Sequence, residues 1–185
     1  MKAYLSTASA VAALLLATGG AATGDQPRAG SACAGQIHPN PGFERGATGW
    51  TAGPRVVVLG DAARPAHTGR AYATFAGLDV TRTDLLRTTV TIPADCALTI
   101  ALWSRATTTE TARGDHLNIG LAVTGTPPKT MASLAYDHPA EWTRRSYSIS
   151  PAATERTATI SFAASETAGN GVTAFDVDDV TFVLG

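Results

Sequence analysis

Charge is scarce in this sequence. Asp, Glu, Lys and Arg make up 16% of it, fourteen basic against fifteen acidic residues, for a formal net charge of −1. There is no basic stripe for a nucleic-acid backbone and no polybasic patch for an anionic membrane surface. Aromatic residues are few as well, at 6%, which is thin for a chain that grips insoluble polysaccharide. Long helix formers are sparse beside Thr, Ala, Gly and Val, and no stretch sustains a helical period, so a bundle is disfavoured. Motifs of local catalytic chemistry are missing too: no G-x-S-x-G elbow, no H-E-x-x-H and no phosphate-binding loop. His38, His67, His116 and His138 are scattered without metal-ligand spacing. A triad assembled through space leaves no trace in sequence, but nothing local points to an enzyme.

Cysteine occurs twice, at Cys33 and Cys96. The first residues say in which compartment to read that pair. Met1-Lys2 gives a short positive start, Ser9 to Ala17 is apolar and uncharged, and small residues follow from Thr18 to Gly24. That order is a secretory signal peptide, and the apolar run falls short of the roughly 20 residues of a membrane span. Residues 1–24 are therefore expected to be removed on export, 25–35 to be a flexible leader, and 36–185 to be one domain. In an oxidising compartment the isolated pair is expected to form a Cys33–Cys96 disulfide, worth about 4 kcal/mol on the chain-entropy account.

The rest alternates short β-rich runs with Gly, Pro, Asp and Asn punctuation. Strands are expected over Val56–Leu59, Tyr72–Phe75, Leu85–Ile92, Ala97–Arg105, His116–Thr124, Met131–Tyr136, Thr143–Ile149 and Thr157–Ala164. The tract Thr107 to Thr111 reads as a loop. In the closing strand Phe175 and Val177 share one face, and Val180, Phe182 and Leu184 share one face, with Asp178-Asp179 adding a residue between the two sets. Both sets reach the core only if the chain bulges there. Roughly ten short strands with regular turn signals predict an all-β, two-sheet antiparallel sandwich or jelly roll.

Several segments resemble galactose-binding-like jelly rolls, the fold of many carbohydrate-binding modules on secreted bacterial glycoside hydrolases. Asn40-Pro41-Gly42-Phe43-Glu44-Arg45-Gly46 followed by Gly49-Trp50 looks like their opening. Ala66 to Ala73, Thr99 to Ser104 with Trp103, Glu141-Trp142 and Phe175 to Thr181 match later segments in order. The Cys96 strand and the Thr-Glu-Thr loop are also similar to modules appended to secreted actinobacterial peptidases. The resemblance implies a secreted, non-catalytic module with an extracellular carbohydrate, such as a cell-wall or biomass glycan, as its partner. A structural or protein-interaction sandwich without sugar affinity is the alternative, and a small hydrolase a remote one.

The resemblance also implies a structural calcium. Glu44 and Asp178 would supply carboxylates, and carbonyls near Gly42 and Gly69 would complete a shell of the hard oxygens calcium takes. Otherwise the two side chains simply satisfy loop amides. Trp50, Trp103 and Trp142 fall at positions where the family expects framework aromatics. Trp103, His116, Asn118 and Tyr136 are the residues put forward for ligand contact. Arg113-Gly114-Asp115 spells a cell-adhesion tripeptide, and reads more simply as a Gly turn before the His116 strand.

Overall fold

The computed structural model describes residues 33–111 and 113–185. The expected signal peptide and most of the expected leader lie outside the described residues. Eleven strands are present: β1 (Gly35–Gln36), β2 (Thr51–Ala52), β3 (Val57–Leu59), β4 (Ala71–Ala76), β5 (Arg82–Ile92), β6 (Leu98–Thr108), β7 (His116–Val123), β8 (Lys129–Leu134), β9 (Thr143–Ile149), β10 (Arg156–Glu166) and β11 (Thr173–Leu184). They form two antiparallel sheets. The first runs β3-β4-β11-β6-β9 and the second β2-β5-β10-β7-β8. β4 pairs with Ala174–Val177 of β11, and β1 pairs with that strand at Val183 and Leu184.

Period-two patterning drives this assembly. Along β5, β7 and β10 every second residue is buried and its neighbours are more exposed, which turns one face of the second sheet inward. Leu86, Ile92, Leu117, Ile119 and Phe162 meet Leu98, Ile100, Leu102, Phe75, Phe175 and Phe182 of the first sheet in one continuous core. Each large side chain buried this fully is worth about 1.5–3 kcal/mol. Trp50 is 7% exposed and lies against Phe43, Phe162 and Phe182, its indole N–H donating to the Asn40 carbonyl. It is a core aromatic, as its framework position implied.

The bulge falls where the pattern required it. The β11–β6 register shifts between Asp178 and Thr181, and Asp179 takes a positive φ of 47°. Val177 and Val180 are thereby both fully buried. Some boundaries differ from expectation. Thr107 and Thr108 pair with Ala174 and Thr173 as part of β6; β-branched Thr suits a strand once a partner is beside it. β8 ends at Leu134, so Tyr136 lies in the following connection. The last residues of the expected leader are held: Cys33 is disulfide-bonded to Cys96, and Gly35 pairs with Leu184.

Candidate functional site

Three places gather polar chemistry. At the first, the turn carrying residues 67–71 is clasped between two carboxylates from opposite ends of the chain. Asp178 Oδ2 accepts the amides of His67 (2.9 Å) and Thr68 (3.2 Å), and Glu44 Oε1 accepts those of Arg70 (2.8 Å) and Ala71 (2.9 Å). Gly69 sits between them at φ 63°, and a Cβ there would stand 2.3 Å from Glu44 Oε1. A Cβ on Gly42 would stand 3.1 Å from Asp179 Oδ1 and 3.8 Å from Asp178 Oδ1. Of the four residues put forward for calcium, Gly69 thus lies against Glu44 and Gly42 against Asp178 and Asp179, on either side of one turn.

Asp178 is fully buried and has no cation as partner among the described residues. Burial pushes its carboxyl up to about 7, the Asp179 charge adding to the rise while the amides of Asp179, Thr68 and His67 oppose it. Among the described residues no three His, Cys, Asp or Glu side chains stand close enough to hold an ion. An ion here would need backbone carbonyls beside the two carboxylates, an all-oxygen set that fits calcium and not zinc. Asp179 reaches the same turn through the side chains of that turn, taking His67 Nδ1 at 2.6 Å and the Thr68 hydroxyl at 2.9 Å.

The second place, the outer face of the first sheet, collects aromatic and charged groups. The His67 ring stacks on Trp103 at 4.0 Å between centroids, and the Arg105 guanidinium lies 4.4 Å above the Trp142 ring. Buried Asp176 accepts from Arg105 Nε at 2.9 Å and Arg64 at 2.6 Å. Trp103 thus joins a brace that fastens the 64–68 segment to the sheet. Composition hid this brace. Asp176 and Asp178 both sit on the outward side of β11, which was the available signal, but their partners come from sequence positions far away.

The third is the outer face of the second sheet. A depression of about 380 Å³ lined by Thr51, Arg87, Thr89 and Thr159 adjoins another of about 260 Å³ lined by Gly120, Ala122, Lys129, Thr130 and Ser161. They share Thr159, so together they cross the sheet from β2 to β8 as one shallow groove. No aromatic ring and no carboxylate lines either depression. His116 and Asn118 lie on this same side of β7, alternating with buried Leu117 and Ile119. The structure therefore separates the four ligand candidates: His116 and Asn118 face outward from one sheet, Trp103 from the other, and Tyr136 sits in a connection. The adhesion tripeptide is not presented, because Asp115 is fully buried and its carboxylate accepts the amides of Thr167 and Thr173.

No protein-family model matches the chain, and no curated protein matches it by sequence. Solved structures do. The TmCBM61 complex with β-1,4-galactotriose superposes with a TM-score of 0.58 at 20% identity, over 82% of this chain and 98% of that one. A family 16 carbohydrate-binding module gives 0.52 at 14%, over 80% and 99%. The chain has the jelly-roll fold of carbohydrate-binding modules. A Stig cyclase, Fisc from Fischerella sp. TAU, solved with an indole ligand, also superposes at 0.54 and 13%, over 82% and 98%. The same sandwich therefore carries both binding and catalysis, and fold alone does not choose between them.

Proposed function

We propose that this chain is a secreted, non-catalytic module that binds a cell-wall or biomass glycan in the groove across the outer face of its second sheet. The carrying observation is the pair of depressions that meet at Thr159. Their walls offer hydroxyls from Thr51, Thr89, Thr130, Thr159 and Ser161, each both donor and acceptor, the pairing a sugar hydroxyl needs. Small Gly120 and Ala122 let a chain lie close to the sheet. TmCBM61, which has this fold, was solved with β-1,4-galactotriose, and a xylanase chain joining a CBM22 and a GH10 module was solved with xylohexaose, which supports a saccharide ligand. The disulfide supports export, since such bonds persist in oxidising compartments.

Net hydrogen bonds of about 0.5–1.5 kcal/mol each give such a wet groove modest affinity. Titration with galacto-, xylo- and gluco-oligosaccharides tests the reading. Thr159→Tyr, which fills the junction of the two depressions, is expected to weaken binding at least tenfold with an unchanged fold. The absence of an aromatic platform in the groove favours the second reading, a protein-interaction sandwich. That reading wins if no oligosaccharide binds the wild type at millimolar concentration.

Calcium belongs to the same proposal as a structural ion. Glu44 and Asp178, with carbonyls near Gly42 and Gly69, would hold it, and it would supply the positive charge that buried Asp178 lacks.

A further inference from the structure

A cleft of about 190 Å³ opens where the first sheet's β3–β4 edge meets the start of β5, and it shares no lining residue with the groove. Three arginines, Arg55, Arg64 and Arg82, line it beside one carboxylate residue, Asp84. Two of them are paired. Arg82 bonds Asp84, whose other oxygen accepts the Ala76 amide at 2.8 Å, and Arg64 bonds Asp176 at 2.6 Å. Asp61, close to Arg64, is turned back on the amides of Ala63 and Arg64. Arg55 forms no ion pair or hydrogen bond with its side chain among the described residues. Its charge is the uncompensated one.

The backbone at Arg55 adds an independent observation. Gly53 to Val56 make a turn closed by the Val56 amide on the Gly53 carbonyl, with Pro54 leading and Arg55 third at φ 66°. That third position needs a positive φ and is ordinarily Gly or Asn. A long β-carbon-bearing side chain is strained there, and strain of this kind concentrates where the side chain has work to do. At the rim Leu78 is 42% exposed.

We infer that this cleft is an oxyanion site, taking the carboxylate or sulfate of an acidic saccharide such as a uronate. The guanidinium fork matches planar oxyanions and holds its charge at every physiological pH. An apolar lip at Leu78 suits the carbon face of a pyranose ring. That a saccharide carries the anion rests on the glycan reading; the oxyanion site does not.

The test is a titration of the intact, disulfide-bonded protein with glucuronate, inorganic sulfate and glucose, followed by NMR at low ionic strength. Glucuronate or sulfate is expected to shift signals of Arg55, Arg64 and Leu78 with a millimolar Kd that rises with added salt, and glucose is not. Arg55→Gly removes the charge and relieves the turn. It should weaken anion binding at least tenfold while its melting temperature equals or exceeds that of wild type. Sulfate binding without glucuronate binding assigns a sulfate group and removes the carboxylate; shifts with both assign either anion. The site is refuted if neither anion shifts the cleft signals, if glucose binds there as well as glucuronate, or if Arg55→Gly binds as wild type does. Groove binding is read from separate signals, at Thr89 and Thr159, so loss of one proposal leaves the other standing.

Discussion

Asp178 and His38 show how much a single buried polar side chain can be asked to do. Asp178 holds three amides and still lacks a counter-charge, so an ion that binds only the folded state should stabilise strongly. At a hundredfold excess over Kd that is about 2.7 kcal/mol, or roughly 5–10 °C for a chain of this size. Chelation is expected to lower the melting temperature by that order and calcium to restore it. Asp178→Ala should melt lower and lose the response, whereas Asp179→Ala, whose side chain is turned to His67 and Thr68, should keep most of it. A wild type indifferent to chelator removes calcium and leaves the carboxylates as loop acceptors. His38 is buried at 4% exposure, its Nδ1 accepting the Asn40 amide while Nε2 faces the Gly49 carbonyl at 3.2 Å. Burial holds its pKa below 6.5, against the raising effect of the Gly49 carbonyl. The unfolded chain therefore takes up this proton first as pH falls, and the His38 contribution to stability is lost below about pH 6.5. Asp178 acts against this, since its raised carboxyl takes its proton first in the folded state. The buried His138 is shifted in the same direction as His38 and for the same leading reason. Between pH 7 and 5 the melting temperature of His38→Gln should rise relative to that of wild type as pH falls; a constant difference would contradict this role.

Strands differ in how much of their placement is local. The bulge in β11 was legible because two apolar sets separated by an odd residue cannot share one face in any other way. The alternation in β5, β6, β7 and β10 was legible for the same reason. What could not be read was adjacency. Thr89 and Thr159 meet at 2.7 Å as cross-strand neighbours, yet 70 residues separate them, and period two reveals a polar face without saying what stands beside it. The groove therefore stayed hidden while its residues were visible as Thr-x-Thr runs. The candidates His116 and Asn118 were correctly outward but were grouped with Trp103, which the pairing order sends to the opposite layer. The bulge also carries a prediction. Deleting Asp179 removes the extra residue opposite the Trp103–Ala101 step, so β11 would run on as a regular strand with Val180, Phe182 and Leu184 still facing the core. Since each would still fill the core, the deletion is expected to keep cooperative unfolding in circular dichroism. A variant without a native-like transition would mean that the extra residue does more than keep two apolar sets on one face.

Across the whole molecule the ends of the chain are fastened together several times over. Gly35 and Gln36 pair with the last strand, the Gln36 side chain accepts the Phe182 amide, and Ala97 and Gly185 exchange backbone bonds. Cys33, outside β1, is bonded to Cys96 in the β5–β6 turn, across a sequence separation of 63. This arrangement makes the disulfide's contribution separable from packing. β1 is only two residues long and both are exposed, whereas Cys96 is fully buried. Removing the bridge should therefore leave the core contacts in place and act chiefly by freeing the unfolded chain, by about 4 kcal/mol. For a domain of this size that corresponds to roughly 8–16 °C in melting temperature. The double variant Cys33→Ala/Cys96→Ala is expected to fold with the same far-ultraviolet spectrum and unfold that much earlier. Reductant should lower the melting temperature of the wild type toward that of the variant and leave the variant unchanged. The loop-entropy account fails if the double variant melts within a degree or two of the oxidised wild type, because the β1 pairing and the Ala97–Gly185 clasp would then hold the ends without help.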